Sequence, residues 1–263
     1  HVTVPASAVD NGSTAACDIA ALTLSKSNFN CSNVGNSPVS LEVQDNKGNK
    51  AYCSTTITVQ DNVAPTALCK NATVQLDATG NATLPVSAVN NGSVDACGIA
   101  SLALSKTAFN CTNVGANTVT LTVTDNNGKS AACTATVTVQ DNTLPAAVCK
   151  NATVQLDATG NATLAVPAVN NGSADGCGVS TLTLSKTNFN CSNVGANTVT
   201  LTVTDGSNNA STCSATVTVQ DNTLPTAVCK NATVQLDATG NVTVPASAVD
   251  NSSTDACGIA ALT

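Results

Sequence analysis

The string KNATVQLDATGN begins at Lys70, Lys150 and Lys230, so the chain copies itself every 80 residues. Whatever it folds into must close within that period and hand on to a near-identical neighbour. The cysteines keep the same step: Cys17, Cys97, Cys177 and Cys257 form one series, and Cys31, Cys111 and Cys191 a second. Cys53, Cys133 and Cys213 form a third, and Cys69, Cys149 and Cys229 a fourth. HVTVPASAVDNGSTAAC at the start matches NVTVPASAVDNSSTDAC from Asn241. The expectation is a window on a longer repetitive polypeptide, with a partial repeat at 1–60, full repeats at 61–140 and 141–220, and a partial repeat at 221–263.

Within a repeat, Asn117 to Asn142 spells a β-hairpin. Val119, Leu121 and Val123 alternate with Thr118, Thr120, Thr122 and Thr124, which puts aliphatic side chains on one face and hydroxyls on the other. The returning strand aims Cys133, Ala135, Val137 and Val139 inward. Between them, Asp125-Asn126-Asn127-Gly128-Lys129 is a turn, and the positions matching Gly128 are Gly48 and Asn208, residues that suit a left-handed backbone. Upstream, Val74 and Leu76 share a face that Cys69 has the wrong parity to join, which predicts a bulge between Lys70 and Ala72. Leu84, Val86 and Ala88 alternate as a further strand, Ile99 to Ser105 reads as another, and Lys106 to Gly115 is a crossing segment holding Phe109 and Cys111. No helical period is visible. Short strands punctuated by turns at this density predict an all-β chain of small β-sandwich repeats.

Such a sandwich has a thin core, because aromatic residues are 2% of the chain and each full repeat holds one Phe. Domains of this size are marginal on hydrophobic burial alone. Four cysteines per repeat, without the close pairs and histidines of a zinc site, argue for disulfides and an oxidising, extracellular compartment. Four cysteines allow three pairings. The favoured one joins Cys69 to Cys133, first strand to last, and closes a local loop from Cys97 to Cys111. By periodicity it also gives Cys149 with Cys213, Cys177 with Cys191 and Cys17 with Cys31, leaving Cys53, Cys229 and Cys257 without partners. The longer loop is worth roughly 4 kcal/mol and the shorter about 3 in the chain-entropy picture.

The charge pattern excludes several classes. Nine basic residues against 16 acidic ones, net −7, leave no basic stripe for nucleic acid. No apolar run in the window is long enough to insert into a membrane. The only histidine is His1, matched by Asn81, Asn161 and Asn241, and the only glutamate is Glu42, matched by Thr122 and Thr202, so no catalytic residues are expected. No cofactor is expected either. Calcium is the sharpest alternative, with Asp61 and Asn62 at the repeat boundary and Asp125 or Asp95 from loops as oxygen ligands. An isopeptide cross-link from Lys70 or Lys106 lacks an evident buried acid. Sequons such as Asn71-Ala72-Thr73 follow from an Asn- and Thr-rich composition.

The strings DACGI, FNC-x-NVG, VTLTVTD and CTATVTVQDN resemble the hyalin-type, immunoglobulin-like repeats of very large secreted bacterial surface proteins, and the likeness covers the whole chain. That resemblance implies tandem immunoglobulin-like β-sandwich repeats acting as stalk, filament or adhesive appendage, with self-association into a fibre and contact with a target cell surface as partners. Ala15, where Asp95, Asp175 and Asp255 stand in other copies, and the turn Gly206-Ser207-Asn208 depart from the pattern. The expectation is a load-bearing structural segment. The alternative is an adhesin or carbohydrate-binding module using loops such as Asn90 to Cys97.

Overall fold

The computed structural model describes residues 1–263, and it divides into two compact units. One comprises His1–Val74 with Ala82–Gln140, the other Gln75–Asn81 with Asp141–Thr263. The chain is all-β, built of tandem β-sandwich repeats of 80 residues stabilised by disulfides. No helix is long and apolar enough to cross a membrane.

In the second unit, the repeat 141–220 shows the pattern in full. Its main sheet runs in the order Ala152–Gln155, Ala210–Gln220, Gly195–Asp205, Val179–Leu184. The two long strands form the predicted hairpin, with Val199 opposite Ala215 and Leu201 opposite Cys213. Ala152–Gln155 lies parallel to the returning strand. A second sheet pairs Asn161–Thr163 with Asn188–Asn190. Val199, Leu201, Val203, Val217 and Val219 point from the first sheet onto Phe189, Leu164 and Val169, all at 2% exposure or less. The alternating threonines face outward, as a side-chain period of two requires. Asn208 takes the left-handed turn position with φ 68°.

The parity problem near Cys149 resolves as a change of partner. Cys149 bridges to Asn170 on one side of the sandwich, and pairing with the hairpin starts at Ala152 opposite Val217. The intervening Asn151 accepts the Thr216 N–H at 2.9 Å through Oδ1, standing in for a backbone carbonyl. Asn71 does the same for Thr136 in the first unit. The segment holding Val86 and Ala88 is not a strand: Val86–Val89 is one α-helical turn entered through Pro85, and Val166–Val169 repeats it with Pro167 in its first turn. Proline is tolerated there because that N–H needs no partner. Four residues are too few to display a 3.6-residue period.

In the first unit, the hairpin Gly115–Asp125 and Ser130–Gln140 has the same register, Leu121 opposite Cys133. The leading partial repeat forms a three-stranded sheet from Ile19–Leu24, Gly35–Asp45 and Lys50–Val59. Its returning strand is an edge, exposed along most of its length.

In each full repeat the phenylalanine is the only large ring, and a lysine ammonium covers it: Lys106 Nζ lies 4.8 Å from the Phe109 ring centre and Lys186 Nζ 4.8 Å from that of Phe189. Truncation of Phe189 to Ala is expected to cost about 3–5 kcal/mol, whereas Thr216→Ala on the exposed face should stay within about 0.5 kcal/mol. Chemical denaturation of the two variants checks the contrast.

Candidate functional site: the junction between repeats

The residues that mark the repeats meet where one repeat hands on to the next. In the second unit three segments converge there: the DATGN turn at 157–161, the FNC segment around Cys191, and the DAC loop ending at Cys257. Asp157 Oδ1 accepts the N–H groups of Thr159 and Asn161 and the Thr159 hydroxyl, at 2.7 to 3.1 Å. That closes the turn and places Gly160 at φ 75°. A Cβ on Gly160 would lie 2.7 Å from the Cys191 sulfur and 3.3 Å from the Ala256 methyl, so the turn needs glycine for its backbone and for the close approach.

The FNC-x-N motif positions the sulfur. Phe189 is buried and anchors the segment. Asn190 Oδ1 accepts the Ser192 N–H at 3.1 Å while Asn193 Oδ1 accepts the Asn190 N–H at 3.1 Å, a reciprocal cap on the short 3-10 turn that begins at Cys191. On the facing loop, Asp255 Oδ1 accepts the Cys257 N–H at 2.8 Å. Cys191 and Cys257 are then bonded, with Cα atoms 5.1 Å apart and a sequence separation of 66. The first unit repeats this arrangement with Cys31 bonded to Cys97, Cα atoms again 5.1 Å apart.

These bonds correct the expected local loops. Cys97 is joined to Cys31 rather than to Cys111, and Cys191 to Cys257 rather than to Cys177, so the second class of bridge crosses from one repeat to the next. Cys111 and Cys177 are themselves disulfide-bonded. Cys257, expected to be free, is bonded, and Cys17, expected to be bonded, is a free thiol along with Cys53 and Cys229. The physical reason is the fold: it brings the FNC segment of one repeat against the DAC loop of the next. Within repeats, Cys69 bonds to Cys133 and Cys149 to Cys213, each with Cα atoms 5.8 Å apart, between the first-strand segment and the returning hairpin strand.

The boundary aspartates lie beside the bridges. Asp61 is grouped with Asp95 and Cys97, their ligand-type atoms all within 4.8 Å of one another. Asp125 lies outside that group: its Oδ1 accepts the Asn127 and Lys129 N–H groups, and its Oδ2 is buried without a hydrogen-bond partner. Asn142 and Asn222, the counterparts of Asn62, donate their amides to Gln75 and Gln155. Lys106 is engaged over its phenylalanine. The loop from Asn90 to Cys97 is knitted internally, with Asn90 Oδ1 accepting from the Ser93 N–H and hydroxyl, Ser93 accepting from Leu68 N–H, and Asp95 accepting from Cys97 N–H. Tyr52, 65% exposed, donates to Glu42, which also pairs with Lys50 at 2.7 Å. Lys50 and then Tyr52 hold the Glu42 carboxyl below its ordinary range.

Digestion without reduction should yield Cys31–Cys97 and Cys191–Cys257 linked peptides by mass spectrometry, and Cys97–Cys111 peptides should be absent. The turn aspartates add a pH signature. The Thr79 hydroxyl, followed by the Asn81 and Thr79 N–H groups, lowers the Asp77 pKa, and Asp157 and Asp237 are lowered by the same groups in their repeats. A folded pKa below the unfolded value gives stability that is present above the ordinary aspartate range and lost as pH falls through the folded value. The melting temperature should therefore hold from about pH 5 upward and fall below about pH 4, less steeply in Asp157→Asn than in the parent.

Among comparisons with known proteins, no family model matches the chain and no curated protein matches it. Solved structures share a distant likeness. The extracellular cadherin domains 1–4 of protocadherin gamma B7 match at 13% identity and a TM-score of 0.32, covering 78% of this chain and 63% of that one. Human protocadherin-24 EC1-2 matches at 16% and 0.34, over 62% and 100% of the two chains, and mouse clustered PcdhgC3 EC1-3 at 14% and 0.31, over 71% and 77%. The chain thus spans less than two thirds of the first of these structures.

Proposed function

We propose that this chain is a load-bearing segment of an extracellular filament, stalk or adhesive appendage of the hyalin-type repeat class, and that its work is mechanical. The single observation that carries the reading is the inter-repeat disulfide, Cys31 to Cys97 and Cys191 to Cys257. Tension arriving at Cys31 can pass straight to Cys97 without loading residues 32–96. A second bond, Cys69 to Cys133, closes a loop that overlaps the first. Neither loop can be drawn out to its full length while the sulfurs stay bonded, so the bonds cap how far a pull can extend the sandwich.

Other features agree with a non-enzymatic, extracellular structural role. The disulfide-bonded cysteines suit an oxidising exterior. Glu42 is tied up by Lys50 and Tyr52, and the loop offered for sugar recognition spends its polar groups on itself. The outward threonine ladder, with Thr118 opposite Thr136 and Thr120 opposite Thr134, is a weakly charged face on which identical chains can associate side by side into a fibre.

Single-molecule stretching of the oxidised chain tests this. Each inter-repeat bridge encloses a separation of 66 residues, about 220 Å of extended chain. That length should stay hidden under oxidising conditions and be released on adding reductant. Full-length extension of the oxidised chain at the same force as the reduced one would refute the load-bearing reading.

A further inference from the structure

Beside each bridging cysteine lies a pair of aspartates that the covalent load path does not require. In the second unit, carboxylate oxygens of Asp141 and Asp175 and the sulfur of Cys177 are within 4.8 Å of one another. Asp141 is only 5% exposed. Its Oδ1 accepts the Thr143 N–H at 3.1 Å, and Asp175 Oδ1 accepts the Cys177 N–H at 2.7 Å. Each carboxylate is thus held through one oxygen. The other oxygen of each, Oδ2, is buried with no hydrogen-bond partner. Two carboxylates brought together with a dry, unpartnered oxygen apiece lose hydration and repel each other. A bare positive charge between them removes both costs.

The geometry points to a divalent cation of the calcium class held by Asp141 and Asp175. The donors are hard oxygens. The Cys177 sulfur is consumed in a disulfide, so it offers no thiolate for zinc or copper. Loop-borne carboxylates, each able to bind through one or two oxygens, suit the irregular coordination of calcium, while magnesium requires a strict octahedron and keeps its waters. The pair recurs as Asp61 with Asp95 beside Cys97, and as Asp221 with Asp255 beside Cys257, both half-buried. In the first of these, Asn127 Nδ2 already donates to Asp61 Oδ2 at 2.9 Å, which makes it a weaker copy. The site at Asp141 and Asp175 is therefore the tightest. It stands on these carboxylates alone, whether or not the chain bears load.

Calorimetric titration of calcium into the intact, chelator-stripped chain, with melting curves alongside, tests the assignment. The expected result is binding in the range of about 10⁻⁴ to 10⁻³ M typical of extracellular modules, with a rise in melting temperature. Asp141→Asn and Asp175→Asn, isosteric changes in the carboxylate pair, should each weaken the strongest step about tenfold or more, a shift of about 1.4 kcal/mol. Circular dichroism and the Cys191–Cys257 peptide report that either variant has folded. The proposal is overturned by any of three results: no heat and no melting shift up to about 10 mM calcium, above the affinity range of such modules; an unchanged titration in a folded variant; or magnesium binding as tightly as calcium.

Discussion

Staggered sulfur bonds are the constraint on which the rest of this structure depends. Each full repeat gathers a core of valines, leucines and alanines around one phenylalanine, with no tryptophan or methionine anywhere in the chain. Aromatic rings bury the largest areas and dominate core energetics elsewhere, so a core without them leaves little margin over chain entropy. The bond between Cys149 and Cys213 ties the start of a repeat to the end of its hairpin, and the bond between Cys191 and Cys257 ties that repeat to its successor. Closing loops of 64 and 66 residues is worth about 4 kcal/mol each in the chain-entropy picture, a large share of what a domain this small retains.

The sequence motifs serve the delivery of those sulfurs. FNC-x-N is an anchor, a cap, a sulfur and the reciprocal cap. DATGN is an aspartate-closed turn whose glycine lets a disulfide sulfur approach the backbone. DAC places a carboxylate on the cysteine N–H two residues on. Gly176 shows how tight the fit is. It replaces the alanine found as Ala96 and Ala256, and a Cβ there would meet the Ala78 carbonyl oxygen at 2.5 Å.

The hairpin was legible in the sequence because Val199, Leu201 and Val203 alternate with threonine over enough residues to fix a face and a register. The bond from Cys69 to Cys133 was legible too, since it joins elements that any sandwich of this strand order brings together. The partner of Cys97 was not. Cys111 is close in sequence, and once Cys69 is paired with Cys133 a repeat read as a closed covalent unit leaves only Cys111 for Cys97, yet the sequence period and the covalent period differ in phase. The turn at Val86–Val89 was hidden by its brevity. Asp61 was picked out as a ligand by its boundary position, but its neighbours in space, Asp95 and Cys97, come from a loop whose approach only the fold reveals.

That phase difference has a mechanical meaning. Had the bonds been nested within one repeat, Cys69 to Cys133 around Cys97 to Cys111, every junction would hang on the peptide linker alone, and the boundary proline would be its only stiffener. Bonds that overlap, 31–97 across 69–133 and 149–213 across 191–257, leave no segment between Cys31 and Cys133, or between Cys149 and Cys257, where a single main-chain strand carries the whole load. A sandwich core can then remain thin and cheap in aromatic residues, because the core sets the shape of each repeat while the sulfur network sets how far it can be stretched.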